Sequence, residues 1–105
     1  MFLKGEVIMT IEKSLNGNTA VLALNGWMDT RSVPEFTKAL EELDPSAEKL
    51  VLDLKGLEYT SSAGVRQIIA AHKKMKGELT IKNVSTEVLD VLHMTGLDKR
   101  LNIEK

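Results

Sequence analysis

The stretch DLKGLEYTSSAGVRQIIAAHKKMKG, Asp53 to Gly77, sets the architecture of the chain. It is entered through Lys49 to Leu54, a nearly continuous apolar run of the kind found in strands at the middle of a sheet. A turn at Lys55-Gly56 leads to Tyr59-Thr60-Ser61-Ser62. Beyond it, Val65, Ile68, Ile69, His72 and Met75 share one helical face, and Arg66, Gln67, Ala70, Lys73 and Lys74 share the other. Gly77 stands where a C-cap belongs, and the lysines before it suit the negative end of the helix dipole. Two hydroxyls therefore sit where a strand hands over to a helix. The first N–H groups of a helix lack intrahelical partners and the dipole there is positive, so the place suits a phosphate, bound or attached. Either serine can equally be a plain N-cap.

Downstream, Glu78 to Lys82 places Leu79 and Ile81 on one face of a further strand. Strand, helix and strand make a βαβ crossover, which requires the two strands to be parallel. Ser85 is expected to cap a third helix, Thr86 to Met94, with Val88, Leu89, Val91 and Leu92 inward. Thr95-Gly96-Leu97-Asp98 stops it, and Leu101 and Ile103 form a short edge strand.

Upstream, Val7, Met9 and Ile11 alternate with Ile8, Thr10 and Glu12, the period of a half-buried strand. Asn16-Gly17 is a strong hairpin signal, and Thr19 to Asn25 is the return strand. Gly26 to Thr30 reads as a loop. Ser32 with Glu35 reads as a capping box, with Pro34 in the first turn of an amphipathic helix over residues 33–43. Asp44-Pro45-Ser46 ends it. The order ββαβαβαβ gives an α/β fold: a mixed sheet made of an N-terminal antiparallel hairpin plus parallel βαβ units, with helices mainly on one face. One domain accounts for residues 1–105, with residues 1–5 expected as a loose N-terminal extension.

Composition narrows the function. Of the 105 residues, 43% are hydrophobic and 28% charged, ordinary for a soluble globular domain. The net charge of −1 offers no bulk attraction to nucleic acid or an anionic membrane, and one Trp, one Tyr and two Phe are too few for a base-stacking platform. There is no cysteine, which excludes thiolate chemistry, and His72 and His93 have no ligand-pair spacing. No apolar run reaches membrane-span length and Met1 to Glu6 lacks a signal-peptide core, so a cytoplasmic protein is expected. No phosphate-binding glycine loop and no nucleophile–base or metal constellation is present, so neither an enzyme, a cofactor nor a small-molecule substrate is expected. Ser62 and His72 lie about 15 Å apart along one helix, too far to form a dyad.

Four places together resemble the STAS domains, and within them the bacterial anti-sigma factor antagonists: Leu24 to Asp29, Leu52-Asp53-Leu54, Tyr59 to Arg66, and Met94 to Asp98. The resemblance runs from about Val7 to Ile103. It implies a partner that is both anti-sigma factor and serine protein kinase. The unphosphorylated antagonist binds it and frees the sigma factor; phosphorylation releases it, and a separate phosphatase restores the antagonist. Many members read Asp-Ser-Ser-Gly or Asp-Ser-Thr-Gly at this junction. Aligned on Gly64, Ser62 takes the acceptor position, with Ser61 as the fallback acceptor. Ser61 stands where the acid usually is, a departure that removes one carboxylate from the site.

The resemblance also implies a partner-binding surface formed by Trp27, Asp29 and Thr30 of the loop with Ser61, Ala63, Gly64, Arg66, Gln67 and Ala70. Small residues at 63, 64 and 70 permit close approach, and Arg66 and Gln67 can make directed hydrogen bonds. Trp27 is the sole tryptophan, either a contact anchor or a cover for the edge of the core. For Asp29 the alternative to a surface role is a plainer one, accepting loop N–H bonds. The alternative function is a STAS adaptor that is not phosphorylated, a subunit of a larger regulatory or transport assembly.

Overall fold

A computed structural model describes residues 8–104. The elements are β1 (Met9–Asn16), β2 (Thr19–Met28), α1 (Val33–Glu41), β3 (Lys49–Thr60), α2 (Ser62–Lys74), β4 (Leu79–Lys82), α3 (Thr86–Met94) and β5 (Asn102–Glu104), with a short 3-10 turn at Leu97–Lys99. They form one five-stranded sheet in the order β1-β2-β3-β4-β5. β1 is antiparallel to β2, and β2, β3, β4 and β5 are mutually parallel. The expected order and mixed topology therefore hold, while Val7 and the extension at residues 1–5 lie outside the described residues.

Strand periodicity explains where the core sits. Ala20, Leu22 and Leu24 of β2, Leu50, Leu52 and Leu54 of β3, and Leu79 and Ile81 of β4 are buried, while the residues between them are less so. The three crossovers step across the sheet in one direction. With the right-handed rule, that puts all three helices on the same side. Phe36 and Leu40 of α1, Ile68 and Ala71 of α2, and Val88 and Leu92 of α3 close the core from that side. Each of these side chains larger than alanine contributes about 1.5–3 kcal/mol on full burial, so the helices are held by their apolar faces rather than by intrinsic propensity.

Five local expectations are corrected. The tight turn of the hairpin is Gly17-Asn18, one residue later than the Asn-Gly pair, with Asn16 paired to Thr19. Gly26 to Met28 are strand, not loop, because β3 is long enough to pair with them. Lys55-Gly56 is likewise not a turn. β3 runs on to Thr60 and carries an extra residue against β2 twice, between Asp53 and Gly56 and between Leu57 and Tyr59. These bulges shift the buried phase from Leu54 to Leu57 and then to Thr60. The capping box does not form. Ser32 is in a right-handed helical conformation; its Oγ accepts from Asp29 N–H at 2.9 Å and donates to the Trp27 carbonyl at 2.7 Å, bracing the turn before α1. α1 itself ends at Glu41, short of the expected 43.

The later elements agree with the sequence. Ser85 Oγ accepts from Val88 N–H at 3.2 Å and caps α3 as expected. α2 closes with Lys76 and Gly77 at φ 54° and 89°, and Gly77 N–H returns to the His72 carbonyl at 2.9 Å. Glycine is the residue that takes this left-handed step without a Cβ penalty. At the far end of α3, His93 Nδ1 lies 2.7 Å from Asp98 Oδ2. The hydrogen bond raises the histidine pKa and lowers that of the carboxyl, tying the helix to the turn that follows.

Candidate functional site

The junction between β3 and α2 is built from its backbone outward. Ser61 N–H donates to the Met28 carbonyl at 2.8 Å, joining the ends of β2 and β3. Ser61 is extended (φ −88°, ψ 175°), its Oγ accepts from Gly64 N–H at 3.3 Å, and its carbonyl accepts from Val65 N–H at 3.0 Å. Ser61 is therefore the N-cap. Ser62 is the first residue of α2; its side chain is exposed and its hydroxyl makes no hydrogen bond with the described residues. The two adjacent serines, open alternatives in the sequence, thus have different surroundings: one hydroxyl engaged and half-buried, the other presented to solvent on a rigid element.

The cap also accounts for the missing acid. Serine and aspartate are about equally good N-caps, so Ser61 keeps the structural role of a carboxylate here without its charge. No acidic residue lies in the first turn of α2. Ser61→Ala should lower stability by about 1 kcal/mol, whereas Ser61→Asp should match or exceed the parent, because it restores an acceptor and adds a favourable charge at the helix start. Urea denaturation of the three proteins checks this; equal midpoints for Ser61→Ala and the parent would contradict the cap.

The expected partner surface divides into three. On α2, Ser62, Arg66 and Ala70 are exposed and follow one another at four-residue intervals, forming a stripe. Ala63 is half-buried beside it. Gln67 is turned toward α1, its Oε1 accepting from Thr37 Oγ1 at 3.1 Å. Gly64 is buried, which corrects its place among the exposed small residues: a Cβ there would collide with Thr60 Oγ1 and lie 3.0 Å from Met28 Cγ. Its smallness serves the packing of α2 onto the strand ends.

The second part is the turn after β2. Asp29 accepts from Arg31 N–H at 2.9 Å and Ser32 N–H at 3.3 Å, and it pairs with the Arg31 guanidinium at 2.7 Å. The hydrogen bond from the Arg31 side chain, the largest influence, lowers its pKa. Asp29 thus holds the turn together, the plainer of the two roles open to it, and Thr30 at the apex is exposed. The Ser61–Met28 hydrogen bond keeps this turn beside the serines.

The third part is aromatic. Trp27 and Tyr59 are paired across β2 and β3, 48% and 44% exposed, with ring centroids 5.6 Å apart. Trp27 Nε1–H donates to Glu58 Oε1 at 3.2 Å. The next pair, Met28 and Thr60, is buried, so the aromatic pair faces the helix-free side of the sheet. Trp27 therefore does not cover the core, and it shares the strand-end edge with Ser62 rather than the face of α2. Tyr59 was not among the residues expected at this surface. Its signal was the apolar spacing Leu54, Leu57, Thr60, which leaves Tyr59 outward.

Among the described residues no group of three or more His, Asp or Glu side chains is placed to hold a metal ion, and no helix is long and apolar enough to cross a membrane.

Comparison with known proteins places this geometry. BtrV of Bordetella bronchiseptica, a candidate anti-sigma factor antagonist, is 28% identical over 80 residues, covering 72% of this chain and 69% of BtrV. The fold matches the crystal structure of an anti-sigma factor antagonist from Mycobacterium paratuberculosis with a TM-score of 0.82 at 22% identity, over 90% of this chain and 84% of that one. It also matches SpoIIAA of Bacillus in its phosphorylated form, with a TM-score of 0.70 at 16% identity, over 91% and 92% of the two chains. Residues 11–104 match the family described as "Mlab, STAS domain". The chain belongs to the STAS domain family.

Proposed function

We propose that this chain is an anti-sigma factor antagonist, a regulatory binding protein rather than an enzyme, whose affinity for its partner is set by phosphorylation of Ser62. The observation that carries the reading is the division of labour between the serines: Ser61 caps α2, and Ser62 stands exposed with an unengaged hydroxyl. The resemblance to BtrV supports the antagonist role, and structures of SpoIIAA described for its unphosphorylated and phosphorylated forms support a switch on this fold.

In this reading the partner is an anti-sigma factor with serine kinase activity, which supplies the nucleoside triphosphate and metal. Ser62 Oγ forms a bond to the γ-phosphorus, the bond to the β-phosphate oxygen breaks, the hydroxyl proton passes to a base on the kinase, and nucleoside diphosphate leaves. The unmodified chain binds the partner through the exposed stripe of α2, the Asp29–Thr30 turn and the Trp27–Tyr59 edge, freeing the sigma factor. A phosphate adds about 1.5–2 negative charges, and a close interface would have to desolvate them. The partner lets go without refolding of this chain, and a phosphatase in the cytoplasm resets the switch.

A second reading, an adaptor that is never phosphorylated, is favoured by one observation: the carboxylate usual before the acceptor is absent at Ser61. Intact-mass and peptide analysis of the protein isolated from its own cells during growth and stress separates the two. The switch predicts a phosphate on Ser62 whose occupancy changes with condition. Its absence in every condition, with the partner kinase present, would favour the adaptor.

A further inference from the structure

Arg66 occupies a position that the phosphate would transform. It lies four residues after Ser62 on α2, both side chains are exposed, and Arg66 makes no hydrogen bond or ion pair with any described residue. Side chains four apart lie on one face of a helix, and the Cα–Cβ bonds tilt toward the N-terminus, so a long side chain lies over the turn before its own Cα. A long side chain at position 66 can therefore reach back over Ser62. An anionic residue N-terminal to a cationic one at this spacing is also the favourable order. Two features strengthen the pairing. The first turn of α2 has no acidic residue to compete for the guanidinium, and Arg31, the other arginine near the junction, is already held by Asp29.

We propose that Arg66 is an internal phosphate clasp: once Ser62 is phosphorylated, the Arg66 guanidinium forms charge-assisted hydrogen bonds to the phosphate on its own helix. This rests on Ser62 being the modified residue. It adds a second arm to the switch. In the unmodified chain Arg66 projects from the stripe proposed to meet the partner. In the phosphorylated chain it is withdrawn into a local pair. Modification then introduces an anion and removes a donor from the same surface in one step, with no movement of the fold. A guanidinium suits this task better than an ammonium because its planar fork matches phosphate oxygens in pairs.

The test needs no partner protein. The full chain carrying phosphoserine at position 62, installed by genetic encoding, is titrated by 31P NMR as the parent and as Arg66→Gln, Arg66→Lys, Arg31→Gln and Lys73→Gln variants. The clasp predicts that Arg66→Gln raises the second pKa of the phosphate by about 0.3 units, in line with the strength of helical ion pairs at this spacing. Arg66→Lys should fall between Arg66→Gln and the parent. Lys73→Gln and Arg31→Gln, which change the net charge equally, should leave the value near that of the parent. No rise for Arg66→Gln, or an equal rise for all three Gln variants, would overturn the clasp. Because the readout is the phosphate itself, that failure is distinguishable from failure of the switch, which is read by partner affinity.

Discussion

Gly64→Val is expected to destabilise the protein by about 3 kcal/mol, and Gly64→Ala by about half that. In an exposed helix, replacing glycine by alanine gains up to about 1 kcal/mol from propensity. Here the opposite sign is expected, because the space is already taken. The added Cβ would collide with Thr60 Oγ1 and meet Met28 Cγ at 3.0 Å, and both side chains are buried. Thr60 cannot simply turn away: it is 1% exposed, and its Oγ1 donates to the Ser61 carbonyl at 3.2 Å. The strain must be relieved by lifting the start of α2 from the ends of β2 and β3. That movement carries Ser62 with it, so the variant should lose partner binding and stability together. Urea denaturation and near-UV circular dichroism check it. An Ala variant more stable than the parent would show that Gly64 is not clamped.

Phosphorylation of Ser62 is expected to weaken binding of the anti-sigma partner by about 100-fold, equivalent to about 2.7 kcal/mol. The estimate follows from leaving a buried anion without a matching cation across an interface, which costs about 2–5 kcal/mol. Ser62→Ala should bind as the parent does, since the Ser62 hydroxyl makes no hydrogen bond within the described fold and Ser61 retains the cap. Ser62→Asp carries less charge and should weaken binding by a smaller factor. The thermal stability of the phosphorylated chain should not fall, because the group stands at the positive end of α2. Loss of affinity with retained stability is the signature of a surface switch, and loss of both would indicate unfolding of the junction.

Much of this fold was legible because its cues are local. Leu22 and Leu24 on one face of the return strand, the Ser85 cap and the apolar run at Lys49 to Leu54 are all cues that act within a few residues. Element order and parallel pairing follow from them through chain connectivity. What stayed hidden depends on long-range register. The two bulges in β3 lengthen the strand and set Tyr59 against Trp27, a pairing that no local pattern in either strand specifies. Ser32 carries the residues of a capping box, yet its Oγ bonds the Trp27 carbonyl, because the extended β2 brings that carbonyl within reach. The same limit applies at the site. Two adjacent serines look alike in sequence; the strand-end hydrogen bond from Ser61 to Met28 decides which of them caps the helix. Gly64, read as surface from its place in the motif, is buried because α2 starts so close to Thr60.

In the proposed switch, one exposed hydroxyl governs partner binding. Its most direct test is calorimetric titration of the chain's own anti-sigma partner with two samples, unmodified and carrying phosphoserine at position 62, in the same buffer. Tight binding is expected for the first and affinity about 100-fold lower for the second. Equal affinity for the two samples would contradict it.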